Sequence, residues 1–226
     1  FQRLIHESES IKSIADGHKR LVRVPLRIGV LGTIGPPRMA AYFAELHRKA
    51  PGIDLEIDVA NGATLLRKLE EGEIDLLATN LGGEVPDQCV TRTMYEERYV
   101  VALPPGHRLA DWPELNLLQL TGECYIDRLA CEVRDRVKTA CEKKHVELYA
   151  NYRTDREDWV ESLVLAGIGF AFLPESSILL GATTHRPLVE PEIRRTISIV
   201  RSADRALVAP AKMLWDLFKP QGSSKR

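Results

Sequence analysis

Residues 26–48, LRIGVLGTIGPPRMAAYFAELHR, decide how the rest of the chain is read. Leu26, Ile28 and Val30 alternate in strand period, Gly32-Thr33-Ile34-Gly35 turns the chain, and Pro36-Pro37 precede Met39, Tyr42, Phe43 and Leu46 at helical spacing. A strand therefore feeds a tight turn that opens directly into a helix. In open α/β sheets such turns line the crevice at the strand ends, where the free N–H groups of the first helical turn attract a carboxylate or another anion. Thr33 adds a hydroxyl at that point. The same residues also admit a structural reading, in which Gly32 and Gly35 shape the turn and the prolines take favoured early-helix positions.

Downstream the rhythm repeats. Pro51-Gly52 turn the chain, Ile53, Leu55, Ile57 and Val59 alternate with Asp54, Glu56 and Asp58, and Asn61-Gly62 turn it again before a short helix carrying Leu65, Leu66 and Leu69. Gly72 stops that helix, and residues 74–78 read as a buried strand. Such a succession within a short span argues for parallel βαβ units. Residues 89–103 read as two further strands, and Pro104-Pro105-Gly106-His107 breaks the pattern at a domain crossover. The βα alternation restarts with a strand at 124–126, a helix from Arg128 to Lys144 and a strand at 146–152. A helix N-capped by Asp155 follows, with Trp159, Leu163 and Ala166 on its buried face. A strand at 196–200 returns across the boundary, and an amphipathic helix at 209–218 closes the chain. The expectation is an α/β protein of two Rossmann-like lobes, the first from residues 24–104 and 202–219, the second from 105–201, joined by two crossover strands around a cleft. Residues 1–20, with a narrow seam of Phe1, Leu4, Ile5, Ile11, Ile14 and Ala15, read as a helix too short to fold alone.

Composition removes several function classes. Lys and Arg (31) nearly balance Asp and Glu (32), so the basic excess of a phosphate-neutralising nucleic-acid surface is missing. No apolar run approaches the roughly 20 residues of a membrane span, which points to a cytoplasmic protein without membrane partners. Cys89, Cys124, Cys131 and Cys141 are too scattered for a disulfide scaffold or a zinc site. The histidines are dispersed, no G-x-S-x-G elbow is present, and Gly29, Gly32 and Gly35 match neither nucleotide-binding glycine pattern. No metal, cofactor, catalytic residue or enzyme activity is expected.

The segments LRIGVLGTIGPPRMAAYFAELHRKAPGIDLEI, LLRKLEEGEIDLLAT, VVALPPGHRLA and VESLVLAGIGFAFLPES together resemble the effector-sensing domain of LysR-type transcriptional regulators, a fold shared with type 2 periplasmic binding proteins. The resemblance implies a small effector, often a carboxylate, bound in the inter-lobe cleft. It further implies that residues 1–20 are the end of a linker helix, and that lobe closure in a homodimer or homotetramer is transmitted to an upstream winged helix-turn-helix domain, through which alone DNA would be held. Carried over by position, the ligand-binding residues are Thr33, Ile34, Asn61, Gly62, Cys124, Tyr125, Asp127 and Arg128. Arg128 suits bidentate pairing with an anion, and equally suits a structural pair with Asp127 beside it. Exposed parts of the helices at 39–49 and 128–144 are candidates for the dimer seam. A free-standing solute-binding protein of the same fold is the rival reading.

The loop GECYIDRLACEVRDRVKTAC holds three of the four cysteines. Oxidant-sensing members of the family form a regulatory disulfide in this neighbourhood, which makes Cys124 and Cys131 candidate redox residues. A helix starting at Arg128 would set Cys131 in its first turn, where the dipole and nearby arginines favour thiolate. The alternative is that Cys131 is a small buried hydrophobe. Cys141, ten residues on, reads as packing.

Overall fold

A computed structural model of the protein describes residues 24–82, 85–129 and 131–218; the expected linker helix at 1–20 lies outside them. The elements run β1 (Val24–Leu31), α1 (Pro36–Lys49), β2 (Ile53–Ala60), α2 (Gly62–Glu71), β3 (Leu76–Thr79) and β4 (Cys89–Leu103). There follow β5 (Tyr125–Arg128), α3 (Arg134–Lys144), β6 (Ala150–Thr154), α4 (Glu157–Leu165), β7 (Ala171–Pro174), β8 (Thr184–Pro187), β9 (Arg194–Ser202) and α5 (Ala209–Trp215). The chain divides into two compact units. One takes residues 24–31, 38–96 and 196–218 of the described chain, the other Gly32–Pro37 and Glu97–Arg195. The strands β4 and β9 therefore change unit at 96/97 and 195/196, against the 104/105 and 201/202 drawn from the sequence, and the turn after β1 groups with the second unit.

In the first unit β1 pairs in parallel with β2 on one side and with β3 on the other, while β9 runs antiparallel to β3 and lies beside β4. The helix α2 shows how local chemistry sets its limits. Asn61 caps its start, its side-chain oxygen accepting from the Thr64 N–H at 2.9 Å. Gly72 ends it at φ 77°, with its N–H bonded to the Leu69 and Lys68 carbonyls. Between these limits Leu65 and Leu69 are buried one turn apart, each a burial of about 1.5–3 kcal/mol. Arg205 reaches the last turn and donates to the carbonyls of Leu69 and Glu70.

In the second unit the later part of β4 pairs antiparallel with β7 and with β8, and β5 pairs in parallel with β6. Tyr99, Val101, Leu103, Phe170, Phe172, Val137 and Cys141 build its core. Tyr125, Phe170 and Phe172 form a ring trio with centroids 5.3–5.6 Å apart, within the favoured range for aromatic pairs. The Gly167-Ile168-Gly169 segment closes α4 in a left-handed conformation at Gly167 (φ 83°) and then passes close to the β5 approach. A Cβ at Gly169 would lie 2.4 Å from the Cys124 carbonyl oxygen, so only glycine admits that contact.

Three local expectations are corrected. Residues 89–103 form one long strand, not two. The helix expected from Arg128 starts at Arg134, because β5 extends through Arg128 and Cys131 lies in the turn before the helix. The helix expected to be capped by Asp155 has Arg156 at its cap position with no side-chain cap bond. Its buried residues are Val160, Glu161 and Val164, with Leu163 partly buried against the same core, while Trp159 is 56% exposed. Glu161 tolerates burial because its carboxylate accepts from the Leu179 and Leu180 N–H groups and from the Thr183 hydroxyl.

Candidate functional site

The second unit contains a buried polar network built from strand residues that occupy the apolar phase. Alternation along a strand puts residues i and i+2 on one face. Glu97 and Tyr99 thus share a face of β4 with Val101 and Leu103, Arg128 shares one of β5 with Ile126, and Arg195 shares one of β9 with Ile197 and Ile199; all of these are buried. Burying charge this way is costly unless every charge is paired.

Arg195, whose side chain is 0% exposed, is the hub. Its Nε donates to Glu97 Oε1 at 2.8 Å, its Nη1 to the Thr33 hydroxyl at 2.8 Å and to Glu132, and its Nη2 to the Thr33 carbonyl at 2.7 Å. The Thr33 hydroxyl in turn donates to Glu132 Oε1 at 3.2 Å, and the Thr33 carbonyl also accepts from the Ser177 hydroxyl at 3.0 Å. Glu97 Oε2 accepts from the Ser176 N–H at 3.2 Å and from its hydroxyl. The Tyr99 oxygen accepts at 3.4 Å from both Arg195 and Arg128, and burial pushes this phenol well above its ordinary pKa.

Arg128 forms the second arm. It pairs with Glu157 and donates from Nη2 to the Cys131 sulfur at 3.1 Å, while its Nε finds no partner among the described residues. Burial raises the Glu157 carboxyl pKa against the pull of Arg128. Burial also opposes ionisation of Glu132, but Arg195, its own backbone N–H and Arg128 together outweigh it and hold that carboxyl below the usual range. The pairing of Arg128 with its neighbour Asp127 is not made. Asp127 accepts instead from Arg134, whose hydrogen bonds hold its carboxyl low despite burial.

The remaining residues named from sequence are placed as follows. Ile34 is buried beside Thr33, and Tyr125 belongs to the aromatic trio with its hydroxyl 3.5 Å from Asp127 Oδ1. The Cys124 sulfur lies 3.5 Å from the Asn151 amide nitrogen, so Cys124 and Cys131 engage different partners, and both are free thiols. Asn61 is the α2 cap, and Gly62 lines a shallow groove of about 470 Å³ in the first unit with Ala63, Leu66, Thr79 and Asn80. Thr33, Arg128 and Cys131 thus join one network of the second unit, whereas Asn61 and Gly62 belong to the first. Reading by sequence missed Arg195, Glu97, Tyr99, Glu132 and Glu157. For the first three a signal existed, since each stands in phase with strand residues that are plainly core.

The sequence profile of the LysR substrate binding domain matches residues 19–223. The chain belongs to this family. Its relatives include the DNA-binding transcriptional dual regulator OxyR of Escherichia coli (strain K12), 23% identical over 203 residues, which cover 87% of this chain and 66% of OxyR. The chain thus spans just under two thirds of the length of that relative. Among solved structures, the reduced OxyR regulatory domain from Pseudomonas aeruginosa superposes with a TM-score of 0.73 at 24% identity, covering 88% of this chain and 98% of that one. The CcmR regulatory domain of Synechocystis PCC6803, in complex with 2-PG, gives 0.74 at 20% identity, covering 85% and 94%. The shared fold is the periplasmic-binding-protein-like one of LysR regulatory domains, and the family is one of transcriptional regulators. Among the described residues no helix is long and apolar enough to cross a membrane, and no His, Cys, Asp and Glu group could hold a metal ion.

Asn61→Ala should lower stability by about 1 kcal/mol through loss of the α2 cap, read as a shift in the urea midpoint; no shift would show the cap bond to be dispensable. The Asp127 carboxyl is held below its unfolded value of about 3.9, so its stabilising contribution is complete above that value and disappears as pH falls through the lower, folded value. The melting temperature should therefore drop on acidification from pH 5 to pH 3, and Arg134→Met should drop less over that window. Parallel pH curves for the two proteins would contradict it.

Proposed function

We propose that the chain is the effector-sensing part of a DNA-binding transcriptional regulator, and that its effector is a small carboxylate or similar anion held at Thr33. The observation that carries this reading is that the Thr33 hydroxyl and the Arg195 guanidinium together already hold a carboxylate, that of Glu132. A hydroxyl and a fixed, always-charged guanidinium are a suitable pair for an anion, and enclosure from water strengthens both contacts. The complex of the CcmR regulatory domain with 2-PG supports small-molecule binding on this fold. DNA would be contacted by the portion of the relatives' length that this chain does not span, with the regulator assembling as a homodimer or homotetramer in the cytoplasm. A thermal-shift screen of carboxylates tests the reading. A true effector at about a hundred times its Kd raises the melting temperature by about 5–10 °C, and Thr33→Val abolishes the rise. Carboxylates that shift both proteins alike would remove Thr33 from the site.

A second reading, oxidant sensing, is favoured by one contact. Arg128 aims a buried positive donor at the Cys131 sulfur, the kind of setting in which reactive thiols occur. Hydrogen peroxide would then oxidise Cys131: the thiolate attacks one peroxide oxygen, the O–O bond breaks, hydroxide leaves, and a sulfenic acid remains. Mass spectrometry after low-dose peroxide should find one added oxygen, or a disulfide formed from it, at Cys131. An unmodified Cys131 would end this reading.

A further inference from the structure

The anion seat at Thr33 is not empty, and its occupant belongs to the chain itself. Resting on the reading of this chain as a sensor of small carboxylates, we infer that Glu132 is a built-in competitor. Its carboxylate fills the Thr33–Arg195 seat in the unliganded protein, and an effector carboxylate binds by displacing it.

Three features single out Glu132 among the carboxylates of the network. Glu97 has a 4% exposed side chain, extends from a strand, and is fixed by Arg195 and by both the N–H and the hydroxyl of Ser176. Glu157 begins a helix and is committed to Arg128. Glu132 lies in the turn between β5 and α3, its side-chain partners among the described residues are Thr33 and Arg195, and at 18% side-chain exposure it retains a path to water. Arg195 and Thr33 are themselves sealed, at 0% for the arginine side chain and 5% for the threonine. The seat is therefore buried and held by further partners, Glu97 and Ser177, and its occupant is the exchangeable part. If Glu132 swings out, Arg195 keeps Glu97, so no guanidinium is stranded, while one hydroxyl hydrogen and one guanidinium N–H are released for an incoming anion. The unpartnered Nε of Arg128, buried in the same network, is a further positive donor that no described residue satisfies. Displacement would also free the turn carrying Cys131 and Glu132, next to the start of α3, which offers a way for binding to be reported.

The inference is tested by chemical rescue. Glu132→Ala deletes everything beyond Cβ, a CH2–COO⁻ fragment the size of acetate. Thermal unfolding of the wild-type chain and of Glu132→Ala is followed in increasing sodium acetate, with sodium chloride at matched ionic strength as the control. Glu132→Ala should melt below wild type, acetate should raise its melting temperature saturably by several degrees, and wild type should not respond. Adding Thr33→Val to the variant should abolish the rescue. Equal responses of wild type and Glu132→Ala, or rescue that survives Thr33→Val, would overturn the inference. Should Glu132→Ala not fold, Glu132→Gln keeps the side-chain length without the charge, and equilibrium dialysis with labelled acetate should find at least tenfold more bound than to wild type; equal retention refutes displacement. The two readings fail separately. Wild-type indifference to every effector carboxylate, with rescue intact, removes the sensor function but leaves the seat, whereas absent rescue removes Glu132 as its occupant.

Discussion

Arg195→Met should lower the stability of the protein by about 3–5 kcal/mol, the cost of breaking a buried ion pair from one side. The reason is what remains behind. Among the described residues, Glu97 would keep its charge at 4% exposure with Ser176 alone to receive it, and the Thr33 carbonyl would keep Ser177 but lose Arg195 as a donor. Methionine restores volume but none of the five donors of a guanidinium. Urea denaturation of the two proteins measures the loss. The double variant Arg195→Met/Glu97→Gln should recover part of it, because removing the stranded charge removes much of the penalty, and the two side chains are in direct contact and must couple. A single-variant loss below about 1 kcal/mol would place this pair with solvent-screened surface bridges and would undo the case for a sealed seat.

Gly35→Ala should be similarly damaging for a reason of shape. A Cβ at residue 35 would stand 2.1 Å from the Ser176 carbonyl oxygen and 2.8 Å from its carbonyl carbon, and backbone cannot step aside as a side-chain tip can. The Ser176 segment is held by Glu97, and Ser177 by the Thr33 carbonyl, so relief of the clash must disturb the seat itself. A cost of about 3 kcal/mol is expected, at the upper end of overpacking effects, together with loss of any effector-induced thermal shift. Gly62→Ala is the matched control. Its Cβ would meet nothing nearer than 3.9 Å, and alanine in the first turn of α2 should leave stability unchanged or raise it by about 0.5 kcal/mol. If Gly35→Ala melts with the control, the close approach at Ser176 is not a real constraint.

The turn that opens the sequence reading was legible for local reasons: strand alternation, Gly-Thr-Ile-Gly and paired prolines lie within one window, and α1 indeed begins at Pro36. The α2 limits were legible for the same reason, since Asn61 and Gly72 are caps whose chemistry acts within four residues. The start of α3 was misplaced because nothing local says that Arg128 finishes a strand. Its partner there is Glu157, 29 residues away. The network around Thr33 was hidden by the same distance. Arg195 lies 162 residues from Thr33, and an Arg194-Arg195 pair looks like ordinary surface charge until one asks which of the two keeps step with Ile197 and Ile199. Strand phase answers that question, and it also picks out Glu97, Tyr99 and Arg128. No comparable periodicity marks Glu132, which lies in a turn.

The grouping of Gly32–Pro37 with Glu97–Arg195 has a consequence for how this protein can be divided. A polypeptide spanning 97–195 looks, on a map of the gene, like an excisable cassette. Made alone it would lack Thr33, and the guanidinium at its last position would lose both oxygens of that residue while keeping Glu97 and Glu132. The second unit is contiguous in space but not in the reading frame, so truncation, fusion or circular permutation preserves its seat only when the peptide following β1 travels with it.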